Sequence, residues 1–294
     1  MISCIITAYK EPDTIKNAMD KMAIACVKEN VDYEILVIAP DAETYSAAES
    51  YSGRNVRIIK DPGKGKPTAL NMAFKEAKGD LLILTDGDVY INQYAIRELI
   101  KKTTEKENIG IVSGRPRSIS PRKNLYGFWS HLLTDMAHET REKLNGNFVC
   151  SGYLYALRPG IIDKIPEDCL SDDAYISYKI IEKGYKIDYA PGAEVFVKYP
   201  DNFKDWMNQK KRSTGGYTQL TQEYNLKPIK EMRSFGQEAK GLLRVISYGR
   251  NIKELFWIKL LIGARIWMWL NIFWERKIMK KNFNKTWVRI DSTK

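Results

Sequence analysis

Two short acidic motifs hold the residues of this sequence best suited to chemistry, and Asp86-Gly87-Asp88 is the sharper of them. Its two carboxylates are separated by one glycine, which lets the backbone approach a ligand closely. Carboxylate oxygens are the ligands that Mg²⁺ or Mn²⁺ prefers, usually together with phosphate oxygens. Asp-Gly is also a common polar turn. The motif alone therefore leaves a metal site and a plain turn open.

The second acidic motif is Ser171-Asp172-Asp173, directly before the amphipathic stretch 174–183. A carboxylate here can act as a general base. Ser171 is equally a good helix N-cap, and acids in a first helical turn complement the helix dipole. Spacing alone does not separate these two interpretations.

A basic run at 209–212 carries a third candidate, Arg212. A guanidinium group can bind a diphosphate through two parallel hydrogen bonds. A solvated charged helix face is the alternative explanation of this run.

The segments around these motifs alternate between strand and helix patterns. Predicted strands cover 2–8, 33–39, 56–60, 80–85 and 109–114, and predicted helices begin at 15, 42, 67 and 94. Such alternation requires parallel strands joined by right-handed crossovers. Ligands of these sheets bind beyond the carboxyl ends of the strands, so the loops 7–11, 39–41, 60–66 and 85–88 should converge. Neither a G-x-G-x-x-G fingerprint nor a P-loop motif is present.

Composition indicates a folded protein, and charge divides it into a mildly acidic N-terminal body and a basic C-terminal part. The 294 residues are 44% hydrophobic and 28% charged, which excludes a disordered chain, a collagen and a disulfide scaffold. The net charge of +11 is uneven, because residues 203–294 hold 20 Lys and Arg against 7 Asp and Glu, whereas residues 1–202 hold 27 against 29. A mildly acidic body is suited to chemistry and a basic tail to an anionic surface.

Cysteine spacing and the first residues predict a cytoplasmic protein. Cys4, Cys26, Cys150 and Cys169 form no zinc or redox motif, which favours buried free thiols in a reducing compartment. The start of the chain has no basic region or cleavage site of a signal peptide.

The segment 118–158 is rich in aromatic residues and is expected to shape an acceptor site. It also contains both histidines of the chain, His131 and His138. With no third ligand near them, the sequence predicts no histidine metal site.

The apolar, Trp-rich stretch 255–274 is about as long as a bilayer is thick. Lys259, Arg265 and Asn271 interrupt it, and charges at the centre of a spanning helix are costly. Trp residues suit the headgroup region, and basic residues that follow would contact anionic lipids: Arg276, Lys277, Lys280, Lys281 and Lys285. We expect peripheral attachment to the cytoplasmic face of a membrane. Two other placements of this stretch stay open: a helix that spans the membrane, and an apolar helix packed on the body. As a binding partner of the basic tail, lipid is favoured over nucleic acid.

In their order along the chain, these motifs resemble the family 2 glycosyltransferases with the GT-A fold, especially the polysaccharide-synthase-like branch. The resemblance rests on the segments 5–11 (IITAYKE), Asp41, 65–71 (GKPTALN), 86–88 (DGD), 171–173 (SDD) and Gln209 with Arg212. It implies an α/β fold with a mainly parallel central sheet flanked by helices. We expect a catalytic domain over 1–215 and a helical, membrane-associating region over 216–294.

The resemblance assigns one group of residues to the nucleotide. Thr7, Tyr9 and Glu11 match the segment that holds base and ribose. Asp41 matches an acid that contacts the base, and Lys66 lies where relatives bring a basic side chain towards the nucleotide.

A second group is assigned to metal and catalysis. Asp86 and Asp88 match the D-x-D motif and are assigned to Mg²⁺ or Mn²⁺, with Asp88 favoured over Asp86 as the direct ligand. Asp173 matches the general base, and Gln209 and Arg212 match Q-x-x-R-W, which lies by the diphosphate and the acceptor.

Three positions depart from the family pattern. The second strand ends Ala39-Pro40-Asp41 in place of D-D-G-S, and Asp172 replaces a Glu. Ser213 replaces the Trp of Q-x-x-R-W, which is typical of processive members; this weakens the case for processive polymerisation and leaves processive and single transfer open.

The resemblance predicts a metal-dependent, inverting glycosyltransferase that uses a nucleoside-diphosphate sugar, with UDP expected. The acceptor would be a hydroxyl of a lipid-linked or growing glycan. A polyprenyl-phosphate sugar synthase and a catalytically silent membrane scaffold of the same fold are the alternatives. The glycine-rich, Arg-containing N-terminal loop of sugar nucleotidyltransferases is missing.

Overall fold

The computed structural model describes residues 1–144, 146–226, 242–277 and 291–293. Within them, eight strands form one mixed sheet in the order β3-β2-β1-β4-β7-β6-β8-β5. The strands are β1 (Ile2–Thr7), β2 (Tyr33–Ala39), β3 (Val56–Lys60), β4 (Leu81–Asp86), β5 (Tyr90–Ile91), β6 (Ile109–Ser118), β7 (Leu154–Leu157) and β8 (Lys186–Val197).

The N-terminal half of the sheet is parallel, as predicted. β1 pairs with β2 on one side and β4 on the other, and β2 pairs with β3. β1 is buried throughout, which explains its uninterrupted apolar run. The connecting helices are α1 (Ile15–Lys28), α2 (Ala42–Glu49) and α3 (Lys66–Glu76).

The C-terminal half of the sheet is mixed. β7 lies antiparallel between β4 and β6, β8 runs parallel to β6, and the short β5 pairs antiparallel with β8 at the edge. The predicted strands at 80–85 and 109–114 are therefore separated by a strand that the local pattern did not reveal. The remaining helices are α4 (Ala95–Thr104), α5 (Leu125–Leu144), α6 (Asp172–Glu182), α7 (Phe203–Gln222), α8 (Leu242–Ser247) and α9 (Ile252–Lys277), with a short 3₁₀ helix at Asp291–Thr293.

Two apolar clusters cover the two faces of the sheet, and a third joins α5, α7 and α9. Phe128 and Trp129 of α5 lie at its centre, with Trp206 of α7. The indole of Trp129 donates to the carbonyl of Trp257 at 2.8 Å and packs on Trp206 with ring centroids 5.2 Å apart. Helix α9 is therefore held on the catalytic body.

The two faces of α9 differ in exposure. One face is buried in the third cluster: Ile258, Leu261, Ala264, Met268 and Ile272. The other is exposed and almost entirely apolar: Ile252, Leu255, Phe256, Leu260, Ile266, Trp267, Leu270, Phe273 and Trp274. Within the described residues, one helical segment, Ile252–Trp274, is long and apolar enough to cross a membrane. Of the basic residues predicted to follow it, Lys280, Lys281 and Lys285 lie outside the described residues, as do the side chains of Arg276 and Lys277.

All four cysteines are buried and free, as predicted, and the Cys4 and Cys26 sulfurs are 3.6 Å apart. The two histidines hydrogen-bond within the protein: His131 Nε2 lies 2.9 Å from the Ser120 carbonyl, and His138 Nδ1 lies 3.0 Å from the Tyr189 hydroxyl. The boundary expected at 215/216 stays a prediction, and α7 runs through it.

Candidate active site

The carboxyl ends of β1 and β4 meet side by side. Thr7 is in register with Asp86 and donates to its Oδ1 at 3.3 Å. The Gly87 amide donates to the Thr7 carbonyl at 3.0 Å. A Cβ at Gly87 would lie 2.5 Å from the Glu11 carboxylate and 2.7 Å from Ala8, so only glycine allows this close approach of the acidic motif to the loop after β1.

Lys66, the first residue of α3, bridges two acidic segments. Its Nζ donates to Asp86 Oδ1 at 2.6 Å and lies 3.7 Å from Asp172 Oδ2. Burial by itself lowers the pKa of Lys66, but Asp172 and Asp86 outweigh it and raise that pKa. Burial raises the pKa of Asp172, against the effect of Lys66, and Asp173 adds to the increase. The site therefore holds more carboxylates than its single bridging ammonium neutralises.

Asp173 is fixed at the N-terminus of α6 by three hydrogen bonds. Its Oδ1 accepts from the Ser171 hydroxyl at 2.7 Å and from the Ala174 amide at 2.8 Å. Its Oδ2 accepts from the Gly152 amide at 3.2 Å. Ser171 occupies the N-cap position, but its hydroxyl binds Asp173 and not a helix amide. The carboxylate is held in one orientation.

Tyr153 connects the acidic motifs in space. Burial raises the pKa of the Tyr153 phenol, and the nearby carboxylate of Asp88 adds to the increase. Asp86 and Asp173 act in the same direction, whereas the Arg212 guanidinium opposes them. Charges from β4, the turn after it, α6 and α7 thus all act on one side chain. The Tyr153 carbonyl accepts from the Thr85 hydroxyl at 2.8 Å, and the preceding Gly152 amide binds Asp173, so residues 152 and 153 join the end of β4 to the start of α6.

Asp41 ties two loops together beside the site. Its Oδ1 accepts from the Thr44 amide at 2.9 Å, which caps α2, and its Oδ2 accepts from the Lys10 amide at 2.8 Å. Lys10 has a left-handed backbone with φ of 55°. Burial by itself raises the pKa of Asp41, but these backbone hydrogen bonds outweigh it and lower that pKa. In this structure Asp41 therefore orders the loop predicted to hold the nucleotide.

The other predicted nucleotide residues lie on the same loop. The Glu11 amide donates to the Thr44 hydroxyl at 2.7 Å, and the Glu11 side chain is buried. Tyr9 is 38% exposed, and the Lys10 ammonium lies 5.5 Å from the centroid of its ring.

Helix α7 supplies Gln209 and Arg212 and also positions α6. The Gln209 Oε1 atom is buried and has no hydrogen-bond partner among the described residues. Further along α7, the buried Gln219 accepts from the Leu170 amide at 2.9 Å and donates to the Asp168 carbonyl at 3.0 Å. These bonds hold the segment that leads into α6, and therefore hold Asp173.

The sequence assigned no individual role to three residues that this arrangement uses, although Tyr153 lies in the aromatic segment 118–158 expected to shape the acceptor site: Tyr153, Gln219 and Asn71. The Asn71 amide donates to the Ile165 carbonyl at 2.7 Å and its oxygen accepts from the Ile165 amide at 2.8 Å. Asn71 is the last residue of the family-like segment 65–71, and this is the one feature of the sequence that indicates its importance. Its contact with Ile165 could not be predicted from a local pattern, because the two residues are 94 positions apart.

The acidic motif after β4 fits a divalent cation that is completed by phosphate oxygens. Asp86 and Asp88 supply hard oxygen ligands, and the Lys66 ammonium already lies against Asp86 as a cation would. Across the described residues, no group of three or more His, Cys, Asp or Glu side chains is arranged to hold a metal by itself. A cation here would therefore share its coordination with a ligand.

A mixed sheet with an acidic D-x-D turn, opposite a carboxylate held at a helix N-terminus, is the arrangement of a GT-A glycosyltransferase. Residues 3–165 match the model of glycosyl transferase family 2. The chain therefore belongs to glycosyl transferase family 2.

Curated relatives are longer than this chain. It is 27% identical over 231 residues to the probable glycosyltransferase YdaM of Bacillus subtilis, covering 73% of this chain and 54% of that protein. It is 21% identical over 235 residues to the poly-beta-1,6-N-acetyl-D-glucosamine synthase of Staphylococcus aureus, and the match covers 76% of this chain and 56% of that protein. The chain thus spans about half the length of these relatives.

Solved structures of low sequence identity share the fold. The mannosyltransferase PcManGT from Pyrobaculum calidifontis, solved with GDP-Man and Mn²⁺, matches with a TM-score of 0.64 and 17% identity over 95% of this chain and 88% of that one. The glucosyl-3-phosphoglycerate synthase of Mycobacterium tuberculosis was solved with Mn²⁺, UDP and phosphoglyceric acid. It matches with a TM-score of 0.53 and 16% identity, over 78% of this chain and 80% of that one. These matches confirm the predicted GT-A architecture.

Proposed function

We propose that this glycosyltransferase moves a sugar from a nucleoside-diphosphate sugar to an acceptor, with inversion at the anomeric carbon. The observation that carries the proposal is the Lys66 ammonium, which bridges Asp86 at the end of β4 and Asp172 at the start of α6, next to Asp173. It supports a shared site in which Asp86 and Asp88 would hold a cation, Arg212 would bind a diphosphate and Asp173 would act as the base. UDP is the expected nucleotide, and GDP is the other candidate because a structural neighbour was solved with GDP-Man.

The donor's diphosphate would lie between the acidic turn and Arg212. Asp88 and Asp86 would hold Mg²⁺ or Mn²⁺, which when bound offsets the charge of the leaving diphosphate. Thr7, Tyr9, Glu11 and Asp41 belong to the loops that would hold the base and ribose. Lys66 lies at 2.6 Å from Asp86 and would add positive potential beside the diphosphate. Gln209 offers its buried oxygen one turn before Arg212.

Asp173 would take the proton of an acceptor hydroxyl. The hydroxyl oxygen forms a bond to the anomeric carbon while the bond from that carbon to the diphosphate oxygen breaks on the opposite face, which inverts the centre. The three hydrogen bonds to Asp173 keep its carboxylate in place for this proton transfer. Aromatic side chains such as Tyr153 and Tyr199, whose ring centroids are 6.1 Å apart, would pack on the acceptor.

A panel of nucleotide sugars tests the donor proposal. Thermal shift with each donor, with and without Mn²⁺ or Mg²⁺, should reveal one nucleotide that raises the melting temperature in a metal-dependent way. Donor hydrolysis by the same protein distinguishes an enzyme from a catalytically silent scaffold. If no nucleotide sugar stabilises the protein under any metal condition, the donor proposal is wrong.

We further propose that α9 lies in the surface of an anionic bilayer at the cytoplasmic face of the membrane. One face of α9 is buried against α5 and α7, so the helix stays with the body while its exposed apolar face is available to lipid. Trp267 and Trp274, each 57% exposed, suit the headgroup region. The exposed Lys253 and Lys259 complement anionic lipid charge. A neighbouring lipid surface would also place a lipid-linked or growing-glycan acceptor within reach.

Vesicle flotation tests this attachment. The wild type should float with vesicles of phosphatidylcholine and phosphatidylglycerol, and Trp267→Ser with Trp274→Ser should remain at the bottom of the gradient with an unchanged melting temperature. Ile24→Ser with Val27→Ser, on the exposed face of α1, is the matched control and should float normally. Equal flotation of both double variants would refute the docking of α9, and preferential binding to DNA would point to a nucleic-acid partner.

A further inference from the structure

The segment before β7, residues 148–152, lies in the core without regular secondary structure. Phe148 is 1% exposed and Val149 and Cys150 are each 2% exposed, and none of the residues 148–152 belongs to a helix or a strand. Buried backbone amides need an acceptor, and amides outside a sheet ladder must find it elsewhere. The position of this segment therefore depends on individual side chains.

Three consecutive amides of this segment each donate to a side-chain oxygen of another element. The pairs are Cys150 with Ser177 of α6 at 3.0 Å, Ser151 with Ser113 of β6 at 2.9 Å, and Gly152 with Asp173 of α6 at 3.2 Å. Both serines are fully buried. The third acceptor is the candidate base, so the first two bonds fix the segment whose amide holds its carboxylate.

Ser177 contacts both sides of this arrangement. Its hydroxyl donates to the Asp173 carbonyl at 2.7 Å, accepts from the Cys150 amide and lies 3.1 Å from the Cys150 sulfur. A serine that bonds the carbonyl four residues earlier is common in helices and by itself indicates no function. Here the same hydroxyl joins the residue that carries the carboxylate to the segment that carries its amide donor.

Gly152 and Asp173 are packed closely together. A Cβ at Gly152 would lie 3.1 Å from Asp173 Oδ2 and 3.3 Å from Asp173 Cγ, so the amide reaches the carboxylate because no side chain stands between them. A small shift of the segment would therefore alter this hydrogen bond. Proton transfer is equally sensitive to the placement of a base.

We propose that Ser177 is a positioning residue for the base: its hydroxyl sets the approach of the Gly152 amide to Asp173 and thereby the orientation of the carboxylate. This inference rests on the proposed function, in which Asp173 takes the proton of the acceptor. Because Ser177 is fully buried, it would act through Asp173 and not by contacting substrate. Its loss should lower turnover and leave donor affinity unchanged.

A double-mutant cycle with Asp173 tests the inference. The reaction is hydrolysis of UDP-glucose or GDP-mannose with Mn²⁺, in which water takes the place of the acceptor. Ser177→Ala should lower kcat about 10-fold and keep the KM of the donor within about threefold. In the Asp173→Asn background the same substitution should change kcat less than about twofold, because no base remains to be positioned. Equal effects in both backgrounds would overturn the inference, since a serine with a purely structural role acts additively.

Ser3→Ala is the matched control. Ser3 is as buried as Ser177, and at the amino end of β1 its hydroxyl accepts from the Gly79 amide at 2.8 Å and donates to Glu34 at 2.7 Å. This variant should have a lower melting temperature and an unchanged kcat, and an equal loss of kcat would assign both effects to destabilisation and overturn the inference. If Ser177→Ala does not fold, Ser177→Cys enters the same cycle, because a thiol keeps the volume but bonds weakly.

Amide hydrogen exchange, resolved at Gly152 by NMR, separates this inference from the proposed function. Exchange at Gly152 should be about 10-fold faster in Ser177→Ala than in the wild type and unchanged in Ser3→Ala. Unchanged exchange at Gly152 in Ser177→Ala would overturn the inference whatever the enzymatic result. If the wild type hydrolyses neither nucleotide sugar, that result counts against the proposed donor chemistry, and the exchange rates still decide whether Ser177 positions the amide.

Discussion

Replacing Asp173 with Asn removes the candidate base while keeping the shape of the side chain. The Asn oxygen can still accept from Ser171 and Ala174, the two donors now at 2.7 and 2.8 Å. Its amide nitrogen would then face the Gly152 amide, which now donates to the second oxygen at 3.2 Å, so one hydrogen bond is lost. We expect a loss of about 1–2 kcal/mol in the free energy of unfolding, within the usual range for one buried donor left unsatisfied.

The effect of Asp173→Asn on turnover should be much larger than the effect on folding. General-base assistance contributes a factor of about 10²–10⁴, equivalent to about 2.7–5.5 kcal/mol in the activation free energy. The measurement is kcat at saturating donor and acceptor, with donor affinity determined by calorimetry on the same preparation. Donor affinity should stay within about threefold of the wild type, since Asp173 is assigned to the acceptor side.

Near-normal turnover of a folded Asp173→Asn variant would refute the role of this carboxylate. It would favour a polyprenyl-phosphate sugar synthase, because an acceptor phosphate is already ionised and needs no base. Equal loss of donor affinity and turnover would instead place Asp173 in the donor site.

Two further predictions concern the charges around the pocket. Lys66→Met removes the ammonium that bridges Asp86 and Asp172 and would compete with a cation for Asp86. Mn²⁺ alone should therefore raise the melting temperature of the variant more than that of the wild type. An equal or smaller shift would contradict this competition. Asp41→Asn keeps an oxygen for the Thr44 amide but presents its NH2 group to the Lys10 amide, so it should lower the free energy of unfolding by about 1 kcal/mol near pH 7, a typical value for one lost hydrogen bond. Because the folded pKa of Asp41 lies below its unfolded value, this contribution is complete above the unfolded pKa and is lost as the pH falls through the folded one. Urea denaturation from about pH 7 to about pH 3 should show the two proteins converging, and a constant difference would contradict the assignment.

The parallel half of the fold was predictable because its signals are local. The buried strands β1, β2 and β4 appear as apolar runs, and the helices between them follow Pro, Asp or Gly signals. The antiparallel strand β7 gives no such signal, because its partners β4 and β6 are distant in sequence and its four residues are too few for a pattern. The mixed half of the sheet therefore required coordinates.

The candidate site likewise has residues that the sequence predicts and residues that only the three-dimensional structure identifies. Asp86, Asp88 and Asp173 were visible as motifs, and the rule on strand carboxyl ends predicted that the loops converge. Tyr153 was one aromatic residue among many, and its position between the acids depends on β7 lying between β4 and β6.

Helix α9 shows a different limit of the sequence pattern. Its buried face repeats every three to four residues, from Ile258 through Leu261, Ala264 and Met268 to Ile272. Because the exposed face is equally apolar, hydrophobic periodicity did not separate the two. Attachment to lipid and packing on the body looked like alternatives, yet one helix presents a face suited to each.

Anomalous diffraction from manganese is the most direct test of a single pocket shared by distant carboxylates. Crystals grown with Mn²⁺ and the nucleoside diphosphate that stabilises the protein should show one manganese peak at Asp88, with the diphosphate between it and Arg212 and with the Asp173 carboxylate facing the same cavity. A manganese peak away from Asp88, or a nucleotide bound where Asp173 and Tyr153 do not border it, would contradict the account.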